Sequence, residues 1–116
     1  MLKTAIMTEA VVTRANPVLA KFRAALTDLY GDRLERVVLY GSRARGDARA
    51  ESDYDVAVFL RDMGDRVKEI ERLAEITSSI LYETGEFIEA LPYSAASYND
   101  PRMPLMYAIR TEGIAL

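Results

Sequence analysis

The chain has 116 residues, half of them apolar and 28% charged, with a formal net charge of −3. It contains no cysteine and no histidine, which excludes disulfides, thiolate metal sites, zinc hydrolysis and His-based catalysis. The acidic balance argues against bulk nucleic-acid binding, and no apolar run approaches the length of a membrane span. What remains for chemistry is carboxylates, arginines, lysines and hydroxyls, a palette suited to hard cations such as magnesium. A chain of this length can bury roughly two-thirds of its unfolded surface, so a single domain, residues 1–116, is expected. The opening MLKTAIMTEAVV lacks a signal-peptide pattern, and the expected location is the cytoplasm.

Residues 4–15 are ambiguous between a short helix and a frayed end. Asn16-Pro17 is a capping residue followed by proline at the first helical position. Val18, Leu19, Phe22, Ala25, Leu26 and Leu29 then recur at helical spacing, which predicts an amphipathic helix over 17–30 stopped by Gly31. A short, almost continuously apolar strand is predicted over Arg36–Tyr40, and a second over Tyr54–Leu60. The residues between them leave room for one turn of helix after Gly41. Asp65 can cap a helix running to about Thr84, with Val67, Ile70, Leu73, Ala74, Ile80 and Leu81 inward and Lys68, Glu69, Glu71, Arg72 and Glu75 solvated. Gly85 is a helix stop. A third strand is expected over Glu86–Leu91, broken by Pro92, then a polar loop over Tyr93–Asp100. Pro101 or Pro104 opens a last helix through about Glu112, and Gly113 lets the tail close. The reading is an α/β (α+β) fold, a small mixed sheet of about three to four strands with helices packed against it.

The chemistry concentrates between Val37 and Leu60. Gly41-Ser42 directly follows a buried strand, where glycine permits a sharp turn and close ligand approach. A helical turn starting at Ser42 would point free N–H groups at an anion such as phosphate. Asp53 and Asp55, two apart in an extended segment, share a face and repel unless a cation lies between them. Magnesium held between carboxylates and phosphate oxygens suits that arrangement. Glu89 is the lone carboxylate inside the third strand and could complete a three-acid cluster for two metal ions, with Glu86 as the competing choice. Arg43 and Arg45 could neutralise a triphosphate, or form loop salt bridges to Asp47 or Glu51. Arg49 suits the loop role better.

Together these residues resemble the nucleotidyltransferase superfamily in its minimal form. Gly41-Ser42, ten intervening residues and then Asp53-Tyr54-Asp55 match that family's spacing. The fuller motif is met by Leu39 to Gly46 and Ser52 to Asp55. The third acid departs from many relatives, which carry aspartate where this chain has Glu89. The resemblance implies the polymerase-β-like fold and transfer of a nucleotidyl group, usually AMP from ATP, with two Mg²⁺. It implies Asp53, Asp55 and Glu89 as catalytic metal ligands and Gly41, Ser42, Arg43 and Arg45 at the nucleotide. Small relatives are often antitoxins paired with a helical HEPN ribonuclease, and some AMPylate a tyrosine on that toxin. The expectation is therefore a protein adenylyltransferase assembling with a HEPN-type toxin. The rival readings are an antitoxin that neutralises by binding alone, and transfer to a small molecule or an RNA end.

Overall fold

The computed structural model describes residues 15–116. The sequence-ambiguous residues 4–14 lie outside that range. Helix α1 spans Pro17–Tyr30. The Asn16 side chain accepts hydrogen bonds from the N–H groups of Val18 (2.8 Å) and Leu19 (3.2 Å), which satisfies two of the orphan donors of its first turn. Gly31, at φ 53°, ends it. After a 3₁₀ turn over Gly31–Arg33 come strand β1 (Leu34–Tyr40), the single helical turn α2 (Ser42–Arg45) and strand β2 (Tyr54–Leu60). Helix α3 (Arg66–Thr84) follows, capped by Asp65 and stopped by a left-handed Gly85. Strand β3 (Ile88–Ser94), a 3₁₀ turn (Ala95–Asn99), helix α4 (Pro104–Glu112) and the two-residue strand β4 (Ile114–Ala115) complete the chain.

The sheet order is β3-β2-β1-β4. β1 runs antiparallel to β2 and β4, and β2 runs parallel to β3. The parallel pair is the one joined by a long crossover, α3, as the geometry of parallel pairing requires. Alternation along the strands separates two faces. Val37, Leu39, Val56, Val58, Leu60 and Ile88 pack with Phe22, Leu26 and Leu73 of α1 and α3. Val38, Ala57 and Phe59 pack with Met106 and Ile109 of α4 on the other face. β2 is covered on both sides, which explains its continuous apolar run.

Three expectations are corrected. First, β3 does not stop at Leu91 but continues through Pro92 to Ser94. β3 is a sheet edge, where a missing N–H that faces outward breaks no ladder bond, and the Pro92 carbonyl accepts instead from Arg66 Nε at 3.1 Å. Second, the inward stripe of α3 is Glu69, Leu73, Thr77 and Ile80, while Val67 and Leu81 are exposed. Glu69 was expected in solvent but is only 3% exposed. Its carboxylate accepts from Arg33 (2.8 Å) and Arg72 (3.0 Å), so its charge is paired. Third, the tail forms a strand, with Leu39 opposite Ile114 and Val38 opposite Ala115. The last helix opens at Pro104, not Pro101.

Candidate active site

β1 ends at Tyr40, and Gly41 turns the chain with φ 75° and ψ −158°, a region open essentially to glycine alone. The Gly41 carbonyl accepts from the N–H groups of Ala44 and Arg45, both at 3.0 Å, so the N–H groups of Ser42 and Arg43 belong to a first turn without intrahelical acceptors. A Cβ on Gly41 would overlap Oδ2 of Asp55 and lie 3.3 Å from its Cγ. The Gly41-Ser42 turn is therefore backed directly against the Asp55 carboxylate.

The strand registers then set a row of side chains across the sheet. Tyr40 of β1 is opposite Asp55 of β2, and Asp55 is opposite Glu89 of β3. All three lie on the α4 face, at the end of the sheet where β1 stops and β2 and β3 begin. The Asp55 carboxyl is pushed above its ordinary value, first by burial, then by the charge of Glu89, a hydrogen bond shared with Glu89 and the charge of Asp53, with Arg45 opposing. Two anionic carboxyls side by side repel, and a cation between them would relieve that repulsion. Hard oxygen donors whose mutual repulsion needs a positive partner fit magnesium.

Sequence-predicted residues are thus brought together unequally. Asp55 and Glu89 meet. Asp53 lies one residue before β2, exposed in the loop, close enough for its charge to reach Asp55. Among the described residues, no group of three or more acidic side chains is arranged to hold a metal ion. Glu89, not Glu86, is the glutamate beside Asp55. Glu86 precedes β3 and pairs with Arg43 at 3.7 Å.

The two arginines also part. Arg43 turns away from the acids: Nε and Nη2 donate to the Ser52 carbonyl (3.1 and 2.7 Å), Nη2 to the Ala50 carbonyl (3.2 Å), and Cζ stands 4.1 Å from the centroid of the Tyr54 ring. Tyr54 belongs to the α1/α3 face, and the Arg43 side chain clamps the 47–53 loop. Arg45 stays on the acid side, where its charge lowers Asp55, and pairs with Asp47 (3.3 Å) and Glu112 of α4 (3.1 Å).

Two tyrosines on the same sheet face as the acids were missed. The Tyr40 hydroxyl is pushed up to about 12, first by burial and then by Tyr93, Asp55 and Glu89. Tyr93 is raised by burial and by Glu89, against Arg66. Both remain O–H donors at neutral pH. Strand periodicity carries the signal for them: Glu89 and Tyr93 are four apart on one strand, and Tyr40 immediately precedes the glycine turn.

Comparison with known proteins agrees with this fold. The polymerase beta, nucleotidyltransferase family matches residues 28–116. A candidate protein adenylyltransferase of Methanocaldococcus jannaschii is 36% identical over 61 residues, 53% of this chain and 61% of that protein. The match thus spans under two-thirds of that relative's length. A second candidate protein adenylyltransferase from the same organism is 30% identical over 79 residues, 68% of this chain and 73% of that protein. Among solved structures, a candidate nucleotidyltransferase from Sulfolobus solfataricus superposes with a TM-score of 0.61 at 16% identity, covering 93% of this chain and 86% of that one. A toxin–antitoxin structure with AMP-PNP gives 0.57 at 18% identity, covering 81% and 68%. At such identities the structural likeness speaks for the fold. With the family match covering most of its length, the chain belongs to the polymerase β nucleotidyltransferase family.

Proposed function

We propose that the chain transfers AMP from ATP to a hydroxyl, in the first place a tyrosine, of a partner protein, and that the partner is a HEPN-type toxin which the chain neutralises as antitoxin. The single observation that carries the reading is the Asp55–Glu89 pair set against the Gly41-Ser42 turn. The names of the two relatives support adenylyl transfer to protein, and the toxin–antitoxin neighbour with AMP-PNP supports both nucleotide and partner. No helix among the described residues is long and apolar enough to cross a membrane, which is compatible with a cytoplasmic partner.

Asp53, Asp55 and Glu89 would hold two Mg²⁺ ions, which supply charge neutralisation at the phosphates when bound. The Ser42 hydroxyl and the N–H groups of Ser42 and Arg43 hold the β- and γ-phosphates. Arg45 exchanges an exposed carboxylate partner for the polyphosphate. The acceptor oxygen attacks the α-phosphorus, its bond to phosphorus forms as the bridging P–O bond to the β-phosphate breaks, and pyrophosphate leaves. Glu89, on the edge strand, takes the hydroxyl proton. Positioning and charge neutralisation account for the catalysis, with no covalent intermediate on the protein.

The test is incubation of wild type and Asp53→Asn with α-labelled ATP, Mg²⁺ and the product of the neighbouring gene. Label on a tyrosine of that product, lost in Asp53→Asn together with neutralisation, is the expected result. Neutralisation that survives in Asp53→Asn, without label, assigns antitoxin action to binding alone.

A further inference from the structure

β3 has one neighbour in the sheet, β2, so its other side is an edge. The register decides which backbone groups face outward there. The Tyr54 N–H donates to the Phe87 carbonyl at 3.0 Å, and Tyr54 is opposite Ile88. In a parallel ladder that bond sends the backbone groups of residues 87, 89, 91 and 93 toward β2. Those of Ile88, Ala90 and Pro92 point away from it. Pro92 agrees independently, since its carbonyl is taken by Arg66 Nε at 3.1 Å rather than by β2.

The edge is therefore blocked in one place and open in another. A row of unpaired strand groups invites pairing with another chain, and proline and charged side chains are the usual means of preventing it. At Pro92 both devices are present: the ring leaves no N–H, and Arg66 occupies the carbonyl. Ile88 and Ala90 have neither. Among the described residues, no turn, loop or side-chain bond reaches the N–H or C=O groups of either one. Between them stands Glu89, exposed and opposite Asp55. The open stretch is thus the one that carries the glutamate of the acid pair.

Outward donors and acceptors repeating at strand spacing select an extended backbone as their partner. A strand added there lies about 4.8 Å from β3. Its residue opposite Glu89 directs its side chain to the face of Glu89, with Cβ atoms about 5 Å apart. Leu91, opposite Ala57 on that face and half-buried, meets the side chain two positions along. A second copy of β3 fits poorly, because antiparallel pairing centred on residue 89 sets one Glu89 against another, and like charges directly opposite destabilise a strand pair.

We propose that the outer edge of β3 over residues 88–90 pairs with an extended segment of the acceptor protein, and that the residue of that segment opposite Glu89 carries the hydroxyl that is modified. This rests on the reading of the acid pair as the transfer site. The hydroxyl oxygen bonds to the α-phosphorus as the bond to pyrophosphate breaks, and its proton passes to the adjacent Glu89 carboxylate.

Amide hydrogen exchange of wild type is followed by NMR, alone and with the product of the neighbouring gene, AMP-PNP and Mg²⁺. The N–H groups of Ile88 and Ala90 should exchange fast in the free chain and slow by about tenfold or more in the complex, while those of Glu89 and Leu91, directed to β2, change little. Ala90→Pro removes one outward N–H, costs no ladder bond to β2 and repeats the arrangement tolerated at Pro92. It should keep its AMP-PNP affinity and label the neighbouring gene's product with KM raised about tenfold. Its melting temperature is followed, and the exchange measured on wild type decides the question if the variant unfolds. Transfer by wild type without slowing at 88 and 90, or full transfer by folded Ala90→Pro, overturns the inference and leaves the transfer site standing. Slow exchange at both groups in the isolated chain also overturns it; dependence on protein concentration then assigns the edge to a second copy, and independence assigns it to this chain's own residues. Slowing at both groups without transfer removes the transfer-site reading alone, and neither slowing nor transfer overturns both.

Discussion

Replacing Gly41 by alanine perturbs the site at its tightest contact. At φ 75° and ψ −158° an alanine backbone is strained by about 1–3 kcal/mol. Its Cβ would also overlap the Asp55 carboxylate, so the carboxylate must move or turn. The strain alone should lower the melting temperature by roughly 5–15 °C for a protein of this size. A displaced Asp55 should cost about a hundredfold in nucleotide turnover, the usual penalty for misplacing a reacting group by about an ångström. Circular-dichroism melts and release of pyrophosphate from ATP measure the two effects. The Asp55→Ala background separates them: the overlap disappears there while the backbone strain persists. Gly41→Ala should therefore destabilise less in that background than in the wild type. An unchanged melting temperature and turnover in Gly41→Ala would refute the reasoning. Equal destabilisation in both backgrounds would remove the contact with Asp55 from it.

The pH dependence of stability carries the mark of Asp55. Its carboxyl is raised when folded, so the folded state holds that proton more tightly, and the contribution is fully present below the ordinary value of 3.8 and lost as pH rises through the raised value. Asp55→Asn should remove this loss and melt higher than wild type near neutral pH while abolishing turnover; a lower melting temperature would contradict it. Glu69 has the opposite sign. Burial pushes its carboxyl up, but the hydrogen bonds and charge of Arg33, with the hydrogen bond from Arg72, bring it below its ordinary 4.5, so its contribution is present above that value and lost on acidification through the lowered one. Glu69→Ala should destabilise by about 1–3 kcal/mol, discounted because both arginine partners are partly exposed, and should leave AMP-PNP affinity intact; a denaturant titration and calorimetry decide it. Arg43→Gln should lower stability by about 1–2 kcal/mol through its lost bonds to the 50 and 52 carbonyls, with little effect on nucleotide affinity. Arg45→Gln should do the reverse, and matching effects of the two variants would undo the division made between them.

Much of this fold is written in local signals. Asn16-Pro17, Asp65 and Gly85 fix helix ends because capping acts within a few residues. The spacing from Gly41-Ser42 to Asp53 and Asp55 was legible because it matches the family's motif. Glu89 was separable from Glu86 by strand alternation once β3 was paired with β2. Other features depend on what lies across the structure. Glu69 reads as a surface residue until Arg33 and Arg72 arrive beside it. Pro92 ends a strand in isolation, yet is tolerated on an outer edge. β4 is two residues long and exists through its pairing with β1. Arg43 and Arg45 are alike in sequence, and only the position of Tyr54 on one face and Glu112 on the other sends them apart.

The most direct test of the Asp55–Glu89 pair as a magnesium-dependent transfer site is turnover of α-labelled ATP by wild type, Asp55→Asn and Glu89→Gln, with Mg²⁺ and with the ion removed by EDTA. Pyrophosphate release and protein-bound label should appear in wild type with Mg²⁺, and should fall about a hundredfold or more in either variant and on chelation. Undiminished transfer in Asp55→Asn, or in wild type with Mg²⁺ removed, would contradict the account.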